Sequence, residues 1–344
     1  MKFSLTLVSL AIASQSFANI LPKDSSQYYY DRAMAEKFAN RNLVASKLFE
    51  KALEFSQANA TIYAEAAGNL MEMHTPDKAK AYYTKAYELD PKNPKVIKEL
   101  TTLYYDFRQW DKAIEFANKC NSCENADRIT GMSLYNKEDY VGAEKYLLKV
   151  IAKEPNDAIA NYTLAKNYID AEQDRKALPY FEKASSLSPE KPNWTLELAT
   201  LYADLGNYRA AVPKYEAAIK LGVAQNNDFN ENYGYALIYS AQFDKGEEKI
   251  LEIYKKKGNK EILRELANTL YKLKQFDRCL DYCQKLMEAD PKDGKALYQA
   301  GLSFIKLGKK DKGQSMCDKA IEIDPSLASK KTTIGDGGGG IGAL

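Results

Sequence analysis

The chain has 344 residues, 45% of them hydrophobic and 28% charged, which suits a folded soluble protein with either a large core or an extended array. Lysine and arginine number 49 against 47 for aspartate and glutamate, so no basic excess points to nucleic acid or an anionic membrane. A single histidine, His74, leaves at most one position for imidazole chemistry, whereas tyrosine is abundant, with 25 copies.

The chain opens with MKFSLTLVSLAIASQSFA. Lys2 supplies a positive start, Leu5 to Ile12 is mostly apolar, and Ser16 and Ala18 suit a signal-peptidase cut. Residues 1–18 are expected to be a cleaved export signal and 19–25 a short lead. The apolar run is too short to span a bilayer, and no other segment is long and apolar enough to do so. No cysteine follows it closely enough to suggest a lipid anchor.

From residue 26 the chain repeats itself. An aromatic-x-x-small phrase recurs as Trp110-Asp-Lys-Ala113, Tyr140-Val-Gly-Ala143, Tyr208-Arg-Ala-Ala211, Phe243-Asp-Lys-Gly246 and Phe276-Asp-Arg-Cys279. Its small residue falls at Ala45, Ala79, Ala113, Ala143, Ala177, Ala211, Gly246, Cys279 and Gly313, in steps of 34, 34, 30, 34, 34, 35, 33 and 34. The units are 26–59, 60–93, 94–123, 124–157, 158–191, 192–226, 227–259, 260–293 and 294–327. Each is expected to be two helices. In 158–191, Leu164, Ala165 and Tyr168 form one apolar patch at helical spacing, and Ala177, Phe181 and Ala184 a second. Pro189 stops the second helix, as Pro91, Pro155, Pro291 and Pro325 do elsewhere. Two antiparallel helices approach closely only where one presents a small residue, and an aromatic such as Tyr83, Phe181 or Tyr215 fills the gap to the next unit.

Cys120 and Cys123 sit where the repeat step falls to 30, in the shortest inter-unit turn. Cys120 closes one helix, whose C-terminal dipole opposes a thiolate, and no strand pattern surrounds the pair. No second CxxC or histidine pair completes a zinc site. The expected state is a disulfide pinning the turn, contributing about 2 kcal/mol, with two free thiols as the alternative. Cys279, Cys283 and Cys317 occupy repeating core positions. Five cysteines is an odd number, so at least one thiol stays free or pairs between chains. No metal or cofactor is expected.

Residues 328–344 are glycine-rich. Gly337 to Gly340 lack the Lys-Ser/Thr of a phosphate loop, so a flexible tail is expected. No capping helix is expected after Pro325. The last pair then needs its own polar outer face, or cover from the tail or a partner. Asn59-Ala-Thr61, Asn161-Tyr-Thr163 and Asn193-Trp-Thr195 would accept glycans in a eukaryotic secretory pathway.

The phrases Leu-Ala-x-x-Tyr (Leu164 to Tyr168, Leu198 to Tyr202), Ala-x-x-x-aromatic (Ala177 to Phe181, Ala211 to Tyr215) and the closing prolines resemble the tetratricopeptide repeat family over about residues 26–327. The match is weaker in 26–59, where Arg32 and Glu36 replace apolar residues, and in 227–259, which lacks the closing proline. The resemblance implies an all-α α-solenoid, a right-handed superhelix of about nine helix pairs. It also implies a concave groove lined by the first helix of each pair, and binding of peptides or proteins without catalysis. Opposite the packed patch of 158–191 lie Tyr162 and Lys166. Carrying that phase along the chain gives the expected partner-binding set: Tyr105, Arg128, Tyr135, Tyr162, Lys166, Tyr235, Arg264, Asn268, Tyr271 and Tyr298. Tyrosine offers apolar area and a hydroxyl at low entropic cost. Arg264 and Asn268 look like one unit of the family's carboxylate clamp, but neighbouring units do not complete it.

The expected function is a non-catalytic scaffold of the cell envelope, exported to the periplasm of a Gram-negative bacterium, whose partners are other proteins or peptides. A second reading is a thiol–disulfide enzyme or accessory using Cys120 and Cys123. A third is a homo-oligomeric array joined through the last helix pair.

Overall fold

The computed structural model describes residues 25–331. The expected export signal, nearly all of the lead and residues 332–344 of the tail lie outside the described residues. The chain divides into two compact units, 1–173 and 174–344. The first holds α1 Ser25–Phe38, α2 Asn42–Phe55, α3 Ala60–Glu72, α4 Pro76–Leu89, α5 Pro94–Asp106, α6 Trp110–Lys119, α7 Ala126–Asn136, α8 Tyr140–Lys153 and α9 Ala158–Asp170. The second holds α10 Asp174–Leu187, α11 Pro192–Asp204, α12 Tyr208–Lys220, α13 Asn227–Tyr239, α14 Phe243–Lys257, α15 Lys260–Lys272, α16 Phe276–Ala289, α17 Gly294–Lys306 and α18 Lys310–Ile323. A 3-10 turn, Pro325–Leu327, and a short α19, Ala328–Lys331, follow. The architecture is an all-α helical-repeat solenoid, with no strand among the described residues.

Odd-numbered helices are the first of each pair. Several open on a side-chain cap: Asn59, Asn93, Asp157, Asn226, Asn259 and Asp293 each accept a hydrogen bond from a backbone N–H in the first turn. Their far ends share a less visible device. Asn40, His74, Arg108, Glu138, Glu172, Ala241 and Lys274 have positive φ between 55° and 68°, as do Gly206 and Gly308 at 74° and 82°. Each lies five residues before the repeating small residue. The next residue's N–H returns to a carbonyl five positions back, as in Gln242 N to Leu237 O and Gln275 N to Leu270 O. That is the Schellman closure of a helix, repeated at every hairpin turn.

The small positions are where the helices touch. Ala45, Ala79, Ala113, Ala143, Ala177, Ala211 and Cys279 have no exposed surface. A Cβ on Gly313 would sit 2.5 Å from the Gly301 carbonyl oxygen, and one on Gly246 would sit 2.6 Å from that of Gly234. Four residues on, Phe49, Tyr83, Leu147, Phe181, Tyr215 and Ile250 fill the adjoining space and are at most 2% exposed.

The described end of the repeat has no full capping helix, only the 3-10 turn and the four-residue α19. The 3-10 turn buries Leu327 in the core of the last pairs. The side of α18 away from Gly313, Cys317 and Ala320 carries Asp311, Gln314, Ser315, Asp318, Lys319 and Glu322. This polar face and the buried Leu327 close the core without a full additional helix.

Candidate partner-binding face

In the first unit, α5, α7 and α9 lie side by side. They bring Tyr105, Arg128, Tyr135, Tyr162 and Lys166 onto one half-buried face. Tyr105 packs its ring 5.4 Å from that of Trp110, the first residue of α6. Burial raises its pKa, Asp106 adds to the rise, and the Arg128 charge partly offsets it. Tyr135 donates to Asp170 Oδ2 at 2.6 Å. Burial and that bond hold its hydroxyl well above the phenol range, with Tyr162 and Tyr140 contributing. The face therefore presents neutral phenols interleaved with long cations.

Arg128 also has a structural task. Its Nη1 donates to Asp157 Oδ2 at 3.1 Å, and Asp157 caps α9. The same arrangement recurs in the second unit, where Arg264 binds Asp293 through two bonds of 3.0 and 2.8 Å while Asp293 caps α17. Arg264 Nε also reaches Glu261. In each case the arginine precedes its aspartate by 29 residues, so it fastens one first helix to the start of the next. The two aspartates were not among the expected site residues. The signal that could have found them is this 29-residue Arg-to-cap spacing, read together with the helix-start pattern.

The second unit departs further from the expected set. Tyr235 and Asn268 are half-buried, and burial, with Glu265 and Glu231, raises the Tyr235 pKa. Tyr271 is 6% exposed and Tyr298 1%. Both belong to the apolar core with Leu270, Leu302 and Cys317, so they are not surface residues. The helical phase is the same as in the first unit, but here the position lies inside the apolar core. Arg264, 18% exposed at its side chain and spent on Asp293, is likewise a fastening residue and not a ligand clamp.

Cys120 and Cys123 are joined by a disulfide. Cys120 is the C-cap of α6, and Cys123 lies three residues before α7. Cys279, Cys283 and Cys317 are buried, with the Cys279 and Cys283 sulfurs 3.8 Å apart. Among the described residues, no three His, Cys, Asp or Glu side chains converge as a metal site. No helix there is long and apolar enough to cross a membrane.

Comparison with known proteins places this geometry. Tetratricopeptide repeat family models match residues 70–122, 162–222, 196–254 and 294–327, together about half of the chain. The chain belongs to the tetratricopeptide repeat family. A TPR repeat-containing protein of Methanocaldococcus jannaschii is 25% identical over 292 residues, covering 72% of this chain and 49% of that protein. Hsp70-Hsp90 organizing protein 1 of Glycine max is 23% identical over 189 residues, covering 44% of this chain and 33% of that protein. This TPR chain thus spans half or less of the length of these relatives. Among solved structures, the C-terminal part of a TPR repeat-containing protein from Cytophaga hutchinsonii aligns with a TM-score of 0.52 and 20% identity. That alignment covers 68% of this chain and 97% of the other, and it shows the shared fold.

Proposed function

We propose that this TPR protein is a non-catalytic interaction scaffold of the cell envelope that holds a peptide segment or partner protein on the α5–α7–α9 face. The observation that carries the reading is the collected stripe of half-buried Tyr105, Tyr135 and Tyr162 with Arg128 and Lys166. Aromatic and arginine side chains dominate binding energy at protein interfaces. Family membership supports it, because helix-pair repeats present extended surface. The name of the soybean relative points the same way.

Two features support export. The first 18 residues have the pattern of a secretion signal. A disulfide in so short a turn suits an oxidising compartment, here the periplasm. The test is photo-crosslinking in intact envelopes from position 162, with Val141, 80% exposed on α8, as control. Discrete partner bands from 162 and none from 141 are expected. Equal crosslinking from both positions would refute the site.

A further inference from the structure

The disulfide has a place in the fold that a simple staple does not require. Helix α6 has only 10 residues, whereas the other second helices have 13 to 15. The Cys120–Cys123 turn stands in for its missing last turn. Both sulfurs belong to the same core cluster as Ile97, Phe116 and Ile129. The turn is held by short-range backbone bonds, Cys123 N to Cys120 O and Ala126 N to Cys123 O. Beside it opens a cleft of about 640 Å³ lined by Tyr87, Pro91, Pro94, Ile97, Lys119 and Cys120, among others. Cys120 faces this cleft and Cys123 does not line it. About 15 Å away, at the other end of α6, Trp110 packs on Tyr105. One rigid helix therefore joins the disulfide to the proposed binding face.

We propose that Cys120–Cys123 is a redox latch on that face. A dithiol reductant enters the cleft and its thiolate attacks Cys120 Sγ. The S–S bond breaks and the electron pair leaves on Cys123 Sγ. The second thiol of the reductant then displaces Cys120 from the mixed disulfide. The reductant ends as a disulfide and the protein gains two electrons and two protons, carried as two thiols. The direction follows from position: Cys123 precedes the positive end of α7 and is the better leaving thiolate, while Cys120 sits at the negative end of α6. Reduction frees the turn, lets α6 shift against α7, and moves Trp110 together with Tyr105 and Arg128. Only the effect of that movement on partner capture rests on the proposed binding face; the movement itself does not.

The test uses the full chain with Trp194→Phe, which leaves Trp110 as the sole tryptophan. Dithiothreitol is the probe, and alkylation with mass mapping confirms reduction of Cys120 and Cys123. Reduction is expected to shift Trp110 emission to longer wavelength and to increase its quenching by acrylamide. A Cys120→Ser/Cys123→Ser variant should show the reduced signature without reductant and fail to respond to it. Mapped reduction with no change at Trp110 would overturn the proposal. So would a folded protein whose disulfide dithiothreitol reduces only after denaturation. Because this readout needs no partner, it stands or falls separately from the photo-crosslinking result.

Discussion

Asp293 is half-buried between a backbone N–H and the fork of Arg264, and its titration carries a definite sign. Burial pushes its pKa up, but the Arg264 bonds and the Ala296 N–H outweigh that and hold it below the ordinary carboxylate value. A lowered folded pKa adds stability that is fully present above about pH 4, the unfolded value, and is lost as pH falls through the folded one. Asp293→Asn should therefore flatten the acid limb of a denaturant-stability profile. Arg264→Ala should lower stability by about 2 kcal/mol, since it strands a mostly buried carboxylate. Tyrosines carry the opposite sign. Burial, with a bond to Glu182 for Tyr202, pushes Tyr202 and Tyr271 up to about 12. Their neutral forms stabilise the fold below pH 10, and that contribution is lost as pH rises from about 10 to 12. Phenolate absorbance should show a late set of tyrosines that appears only with unfolding. A single transition near 10 in folded protein would contradict the burial of Tyr271.

Each hairpin turn demands one left-handed residue, yet only Gly206 and Gly308 supply glycine there. At Ala241, φ is 68°, a conformation that costs a residue with a Cβ about 1 kcal/mol. Ala241→Gly should raise unfolding stability by up to about 1 kcal/mol, and Gly206→Ala should lower it by a similar amount. Packing between paired helices acts in the other direction. Gly313→Ala forces a methyl toward the Gly301 carbonyl and should cost about 1–3 kcal/mol. Loss-free substitution there would show that the α17–α18 approach is looser than described. The turn device was invisible in the sequence because Asn, His, Arg, Glu, Ala and Lys share no chemistry at that position. The small residue five places later was visible because packing accepts only Ala, Gly or Cys there.

At the scale of the molecule, a 34-residue period repeated through Ala45 to Gly313 was enough to read the all-helical solenoid, since no unit can bury its apolar face alone. The candidate face was read less completely. Tyr105, Tyr135 and Tyr162 lie on first helices, as helical phase suggests, but phase does not reveal which of these positions the core covers. Tyr271 and Tyr298 share the phase and are core residues. Phase also hides that Arg128 and Arg264 already have aspartate partners. A variant at Arg264 or Tyr271 would thus probe stability more than binding, and the informative changes lie on α5 and α9. The most direct measurement is a titration of purified protein with the partner segment identified by crosslinking, comparing Tyr105→Ala/Tyr162→Ala with Val141→Ala at equal helix content by circular dichroism. The account predicts that the double tyrosine variant weakens Kd by about tenfold or more while Val141→Ala leaves it unchanged. Unaltered affinity in the folded double variant would contradict it.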